Sequence, residues 1–146
     1  MNYRVIKARF YSQGEAEGQA ITSTQSLCFW GGLNPQNGEI IETNHPLQGE
    51  DITDKILVFP RGHGSSSSSG VLLEAIRCKH APAAIINIFC EPIIAIGSIV
   101  SRVLYGKTIP IAIVSEKDFQ EIHSGAFLKV DGKNQTITIS DKNKVV

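Results

Sequence analysis

Residues 61–70 combine the residue types of an anion-binding or catalytic turn. They read Arg-Gly-His-Gly, then five serines and a glycine, and are called the serine loop below. An apolar strand-like run precedes the loop, and a helical pattern begins near Ser69. Backbone N–H groups and hydroxyls at the positive end of a helix dipole bind anions and can stabilise a serine alkoxide. A flexible linker has a similar composition, but apolar periodic sequence flanks this run directly on both sides, so we interpret it as a site.

Composition and charge exclude several classes of protein. The 146 residues carry 14 Lys and Arg against 14 Asp and Glu, so no basic footprint indicates a nucleic-acid or anionic membrane partner. The length is typical of one domain, which we expect over residues 1–146. The N-terminus lacks the apolar core of a signal peptide, and the longest apolar runs are too short to span a bilayer. We therefore expect a cytoplasmic protein.

The three cysteines do not predict a metal site. Cys28, Cys78 and Cys90 lie far apart, without a Cys-x-x-Cys pair. Three cysteines can hold an iron–sulfur cluster, but each of these ends or follows an apolar or helical run, which is typical of buried free thiols. We expect no metal on this chain.

The periodicity predicts an α/β fold. The early part favours strands over residues 3–11, 19–28 and 39–42. The middle part then alternates strand and helix, at 56–59, 71–79, 83–88, 93–104 and 109–114. That alternation is typical of a central parallel sheet flanked by helices, and a hairpin with its turn around Asp131-Gly132 follows. Ligands of such sheets bind where strands end and helices begin, which is where the serine loop lies.

Several other residues have both a structural and a functional interpretation. Trp30, next to two glycines, could shape a subunit interface or pack buried on a tight turn. His45 precedes a proline and is interpreted as a turn residue. Glu91 precedes Pro92, and capping of the following helix is favoured over contact with a substrate. His80 and His123 are predicted to lie on the surface.

Longer motifs resemble the small, swivelling part of the aconitase X family. They are residues 29–41, the His45-Pro46 pair, 62–74, 81–86, Glu91-Pro92 and 105–110. The resemblance covers roughly residues 5–115 in the same order and implies a swivelling β/β/α domain with added hairpins. It implies a hydro-lyase of two parts, in which the large subunit carries iron or an iron–sulfur cluster and makes most contacts with a small hydroxy acid. The small subunit is implied to be active only with that partner.

The resemblance also implies the site residues. The first serine after the glycine, Ser65, corresponds by position to the catalytic base, supported by Gly64, Ser66, His63 and Arg61. Family members usually have Arg or Lys where this chain has His63, so a permanent cation is replaced by an imidazole that is charged only when protonated. The run of five serines leaves the register open between Ser65 and Ser67.

The implied reaction and its alternatives follow from this chemistry. Dehydration of a 3-hydroxy acid removes a proton alpha to a carboxylate, and a serine at a helix N-terminus in a dry site can act as the base. The family divides between cis-3-hydroxy-L-proline, which yields pyrroline-2-carboxylate, and 5-phosphomevalonate of a mevalonate route. Residues 29–32, 65–74 and 105–110 look closer to the hydroxyproline branch, and His63 offers a phosphate no fixed cation. The non-enzyme alternative is a stand-alone anion- or phosphate-binding module.

Overall fold

The computed structural model describes residues 3–89 and 91–140. Its strands are β1 Tyr3–Lys7, β2 Arg9–Ser12, β3 Glu15–Thr22, β4 Leu33–Asn34, β5 Glu39–Ile40, β6 Ile56–Val58, β7 Ala84–Asn87, β8 Ile111–Ile113, β9 Phe127–Asp131 and β10 Thr136–Ser140. Its helices are α1 Ser68–Arg77, α2 Pro92–Tyr105 and α3 Glu116–Phe119. None of these helices is long and apolar enough to cross a bilayer.

The main sheet has a parallel centre and antiparallel flanks. Across the described residues its strand order is β1-β10-β9-β3-β6-β7-β8-β2. The neighbours from β3 through β6 and β7 to β8 pair in parallel, whereas β1, β10 and β9 form an antiparallel flank and β2 closes the other edge. Every residue of β6 and β7 is buried, because helices and loops cover both faces of a parallel sheet. The predicted α/β class is confirmed.

Alternate residues of the central strands enter two separate cores. Leu57 and Ile85 point into the core beneath α1 and α2, where they meet Leu72 and Ile94. Their neighbours Ile56 and Ile86, with Leu128 and Phe119, form the second core on the opposite face. This two-residue alternation is what a pleated strand imposes, and it places α1 and α2 over one face of the sheet.

The strand boundaries differ from those predicted in the N-terminal third. The alternating run at 3–11 forms two strands, because buried Ala8 donates its N–H to Gln135 O at 3.0 Å and separates β1 from β2. The second strand is Glu15–Thr22 rather than 19–28, since Ser23 Oγ accepts the N–H of Gln25 at 2.9 Å and turns the chain. The third predicted strand, 39–42, is shorter in the structure and consists of β5 alone. The predicted helices and the C-terminal hairpin are confirmed.

Candidate functional site

The serine loop joins the end of β6 to the start of α1. Its first half runs beside the segment around Leu27, whose N–H donates to Arg61 O at 3.3 Å and whose carbonyl accepts from His63 N at 3.2 Å. These two bonds make a parallel bridge between Leu27 and Gly62. The loop is therefore held at its strand end by backbone pairing, and it is not a flexible linker.

Two glycines allow this close packing. A Cβ on Gly62 would lie 2.5 Å from Ile94 Cδ1, at the start of α2. A Cβ on Gly64 would lie 2.5 Å from Cys28 Sγ, and Gly64 has φ +95°, which L side chains rarely adopt. Gly64 thus excludes a side chain because of its backbone conformation, whereas a Cβ on Gly62 would require the end of the Ile94 side chain to shift.

The serines that follow have different environments although they are identical in sequence. Ser65 is half-buried, and its Oγ accepts the N–H of Ser67 at 3.0 Å. Ser66 and Ser67 are exposed, whereas Ser68 is buried and its Oγ accepts the N–H of Trp30 at 3.1 Å. Ser69 donates its hydroxyl to Ser66 O at 3.1 Å. The structure therefore distinguishes a structural serine, Ser68, from those that face outward.

The end of α1 beside these serines offers free donors. Ser67 is the N-cap and makes no capping hydrogen bond with its side chain. Within the described residues, the N–H groups of Ser69 and Gly70 have no acceptor. The first N–H groups of a helix lack intrahelical partners and carry its positive partial charge, so this end of α1 can stabilise an anion next to the loop.

A small cleft opens between the serine loop and the start of α2. His63, Gly64, Ser65 and Ser68 line one side, and Glu91 and Ile94 are among the residues lining the other. Its free volume is about 10 Å³, roughly the space of one water-sized sphere. Three of the predicted site residues, His63, Gly64 and Ser65, are brought together here. The cleft is too small to enclose a hydroxy acid by itself.

His63 faces a carboxylate that sequence reasoning missed. Its Nε2 lies 3.8 Å from Glu42 Oε2, which forms an ion pair when the imidazole is protonated. The other oxygen, Glu42 Oε1, accepts the N–H of Cys28 at 2.9 Å. The two contacts fix Glu42 between the Cys28 segment and the serine loop. Nothing in the sequence marks Glu42, because 21 positions separate it from His63 and only the fold joins them.

Arg61 lies outside the cleft. It is exposed, and its guanidinium carbon is 5.8 Å from the centroid of the Phe89 ring, a cation–π distance. No carboxylate of the described residues lies within ion-pair distance of Arg61. It is thus a permanent cation on the outer rim of the loop. Ser66, the other predicted supporting residue, is also exposed outside the cleft.

The structure decides the alternatives left open for the neighbouring residues. Glu91 caps α2, since its Oε1 accepts the N–H of Ile93 at 3.1 Å. His45 is a buried turn residue whose Nδ1 accepts from Leu47 N at 3.0 Å. Trp30 is 58% exposed, so its interpretation as a buried packing residue was wrong. His123 is exposed as predicted, but His80 is half-buried and bonded to Thr53 Oγ1 at 3.0 Å.

The structure describes two of the three cysteines. Cys28 and Cys78 are half-buried free thiols, which corrects the prediction of full burial, and Cys90 lies outside the described residues. Across residues 3–89 and 91–140, no group of three His, Cys, Asp or Glu side chains could hold a metal ion. The expectation of no metal on the complete chain stays a prediction.

Fold and site together define an α/β domain with an incomplete Gly-Ser site at the start of a helix. Residues 5–139 match the family model described as the aconitase X swivel domain. The chain therefore belongs to the aconitase X swivel domain family, as the sequence motifs predicted.

Relatives of two kinds share this domain. The chain is 38% identical over 136 residues to a cis-3-hydroxy-L-proline dehydratase of Hypocrea jecorina, covering 92% of this chain but only 23% of that protein. It is 37% identical over 138 residues to a phosphomevalonate dehydratase small subunit of Methanococcoides burtonii, covering 94% and 96% of the two chains. The crystal structure of Thermococcus kodakaraensis aconitase X superposes with a TM-score of 0.84 at 34% identity, covering 93% of this chain and 98% of that chain.

Proposed function

We propose that this chain is the small subunit of a two-subunit aconitase X dehydratase and that Ser65 is its catalytic base. One observation carries the proposal: Ser65 lines the cleft at the positive end of α1, in a chain whose relatives are named dehydratases. A stand-alone binding module would need a closed ligand site, and the cleft has room for about one water.

The contacts of Ser65 support a role in proton transfer. The N–H of Ser67 donates to its Oγ at 3.0 Å, and the free N–H groups of Ser69 and Gly70 lie on the same end of α1. Such donors favour the alkoxide over the hydroxyl in a site that excludes water. Ser65 Oγ, as the alkoxide, would accept the proton alpha to the substrate carboxylate. The electron pair of that C–H bond would form a carbon–carbon double bond, and the bond to the hydroxyl would break with hydroxide as the leaving group. When present, iron on the large subunit would assist this departure as a Lewis acid.

The other loop residues would support charge and orientation. His63 lies two residues before Ser65 and within 3.8 Å of Glu42, so its protonated form can approach a substrate carboxylate. Arg61 presents a fixed cation at the rim. Because this chain encloses so little of the substrate, the large subunit must close the site, and we expect the isolated chain to be inactive.

Two substrates are consistent with the relatives. We propose cis-3-hydroxy-L-proline, because the middle position of the Gly-x-Gly before the serines is His63 rather than a fixed cation suited to a phosphate dianion. The alternative, 5-phosphomevalonate, has a specific observation in its favour: Arg61 is exposed with no carboxylate partner in the described part of the chain. Identities of 38% and 37% to the two kinds of relative do not separate them.

The test is turnover by the chain reconstituted with the aconitase X large subunit of the same organism. Ser65→Ala should lower kcat by about 10²–10⁴-fold, as expected for loss of a general base, with assembly and the circular dichroism spectrum unchanged. Ser66→Ala is the matched control, since Ser66 is exposed outside the cleft, and it should keep most of kcat. Retained turnover in Ser65→Ala would contradict the assignment, and the base would then be sought at Ser67, or at Ser66 if the control variant loses turnover.

The same reconstituted pair decides the substrate. Both cis-3-hydroxy-L-proline and 5-phosphomevalonate are offered, and product formation is followed for each. Turnover of phosphomevalonate alone would refute the proposed substrate but not the dehydratase. If a folded and assembled pair turns over neither compound, the proposal that it dehydrates one of the two is refuted.

A further inference from the structure

The outer face of α2 is apolar and has no partner within the described residues. The helix has the sequence PIIAIGSIVSRVLY, whose single charged residue is Arg102. One face is buried against α1 and the sheet through Ile94, Ala95, Gly97, Ser98 and Ser101. The opposite face nevertheless carries large apolar side chains.

These exposed side chains form a continuous stripe. Ile96, Ile99 and Val103 follow one another at intervals of three and four residues, which places them on one face of a helix. Ile96 is 52% exposed and Val103 is 77% exposed, and Leu104 extends the stripe. A surface helix normally turns polar residues outward, and one that is apolar all round is normally buried. A contiguous exposed patch of this kind marks an interaction site. We call these four residues the α2 stripe.

The helix that carries the α2 stripe begins at the edge of the candidate site. Glu91, the N-cap of α2, lines the cleft together with Ser65. Gly97 lies on the buried face of α2, and a Cβ there would lie 2.8 Å from Ser69 O, so this inner face rests directly on the start of α1. Phe89, just before α2, is also exposed and contacts Arg61. The α2 stripe thus lies on the outer face of a helix whose first residues border the incomplete cleft.

We propose that the α2 stripe docks against an apolar surface of the large subunit and holds the serine loop over the substrate. The inference rests on the proposed function and adds the surface by which the two subunits meet. The large subunit is favoured over a second copy of this chain. The start of α2 lines the cleft, so the partner that closes the cleft must lie beside this helix, whereas a second copy has no such requirement. The matched domain is also 23% of a longer dehydratase chain in one relative and a separate small subunit in another, so this domain works beside a larger body.

The test is the affinity of a stripe variant for the purified large subunit. Ile99→Glu combined with Val103→Glu places two carboxylates in the proposed contact, where an unpaired buried charge is strongly unfavourable. Both side chains are exposed and glutamate is a good helix former, so the variant should fold. The Kd, measured by isothermal titration calorimetry, should rise by at least about 100-fold, as expected for loss of an interface hot spot.

The matched control carries the same charges elsewhere. Tyr3→Glu combined with Val5→Glu alters two exposed apolar residues of β1, which is the edge strand at the opposite side of the sheet from β8 and β2. The Kd of this control variant should stay within about threefold of wild type, as for surface changes. Thermal melting checks that both variants fold.

Three results would overturn the proposal. A stripe variant that binds as tightly as wild type would refute the surface while leaving the proposed function intact, provided that the wild-type pair turns over substrate. Self-association of the wild-type chain in sedimentation, lost in the stripe variant, would assign the stripe to a second copy. A wild-type chain that neither binds nor activates the large subunit would refute the proposed function and this inference together.

Discussion

Replacing Gly64 with alanine should destabilise the serine loop for two separable reasons. Gly64 has φ +95°, and an L residue forced to positive φ loses about 1–2 kcal/mol. The new Cβ would also lie 2.5 Å from Cys28 Sγ, whereas ordinary van der Waals contacts are about 3.5–4 Å. Overpacking of this kind typically costs about 1–3 kcal/mol. The free energy of unfolding should therefore fall by about 2–5 kcal/mol from the two effects together.

The two contributions can be separated with Cys28→Ala. Removal of the sulfur also removes the S–H that donates to Trp30 O at 3.1 Å, so Cys28→Ala alone has a small cost of its own. In the double variant the new Cβ no longer meets Sγ, and only the cost of the positive φ remains. The cycle should show a favourable coupling of about 1–3 kcal/mol between the two sites, equal to the relieved overlap.

Urea unfolding of the four proteins, followed by circular dichroism, measures this cycle. Parallel transitions with equal m-values are required, because a changed m-value would signal a changed unfolded or native state. Additivity of the two single changes within about 0.5 kcal/mol would refute the argument, since independent sites behave in that way. A Gly64→Ala variant as stable as wild type would refute the loop conformation itself.

Two further predictions concern single side chains. Ser68→Ala removes the buried acceptor of the Trp30 N–H and should lower the free energy of unfolding by about 1–3 kcal/mol, against about 0.5 kcal/mol or less for exposed Ser66→Ala, both measured by urea unfolding. Hydrogen bonds from Thr53 lower the pKa of Asp51, so its charged form stabilises the fold above the unfolded pKa of about 3.9, and this contribution is lost as the pH falls through the folded value. The Tm difference between wild type and Asp51→Asn should therefore shrink from pH 7 to pH 3, and a constant difference would contradict this.

The central strands and helices were predictable because their signals are local. The runs that became β6 and β7 are short, apolar and bounded by turn residues, and Glu91 before Pro92 marks the start of α2. The split at Ala8 was not predictable, because it depends on Gln135 O, more than a hundred positions away. The contact between Glu42 and His63 was missed for the same reason: their approach is a property of the fold.

The five consecutive serines are identical in type but differ in their contacts, and these contacts bear on the choice of base. Ser68 is committed to the Trp30 N–H, and Ser69 donates its hydroxyl to Ser66 O. Among the described serines of the loop that precede α1, Ser65 is the one that lines the cleft. Its Oγ already accepts the N–H of Ser67, and no described residue accepts its hydroxyl proton. A base needs stabilisation of the deprotonated oxygen and freedom to exchange its proton with substrate. Those two conditions support Ser65 over its four neighbours.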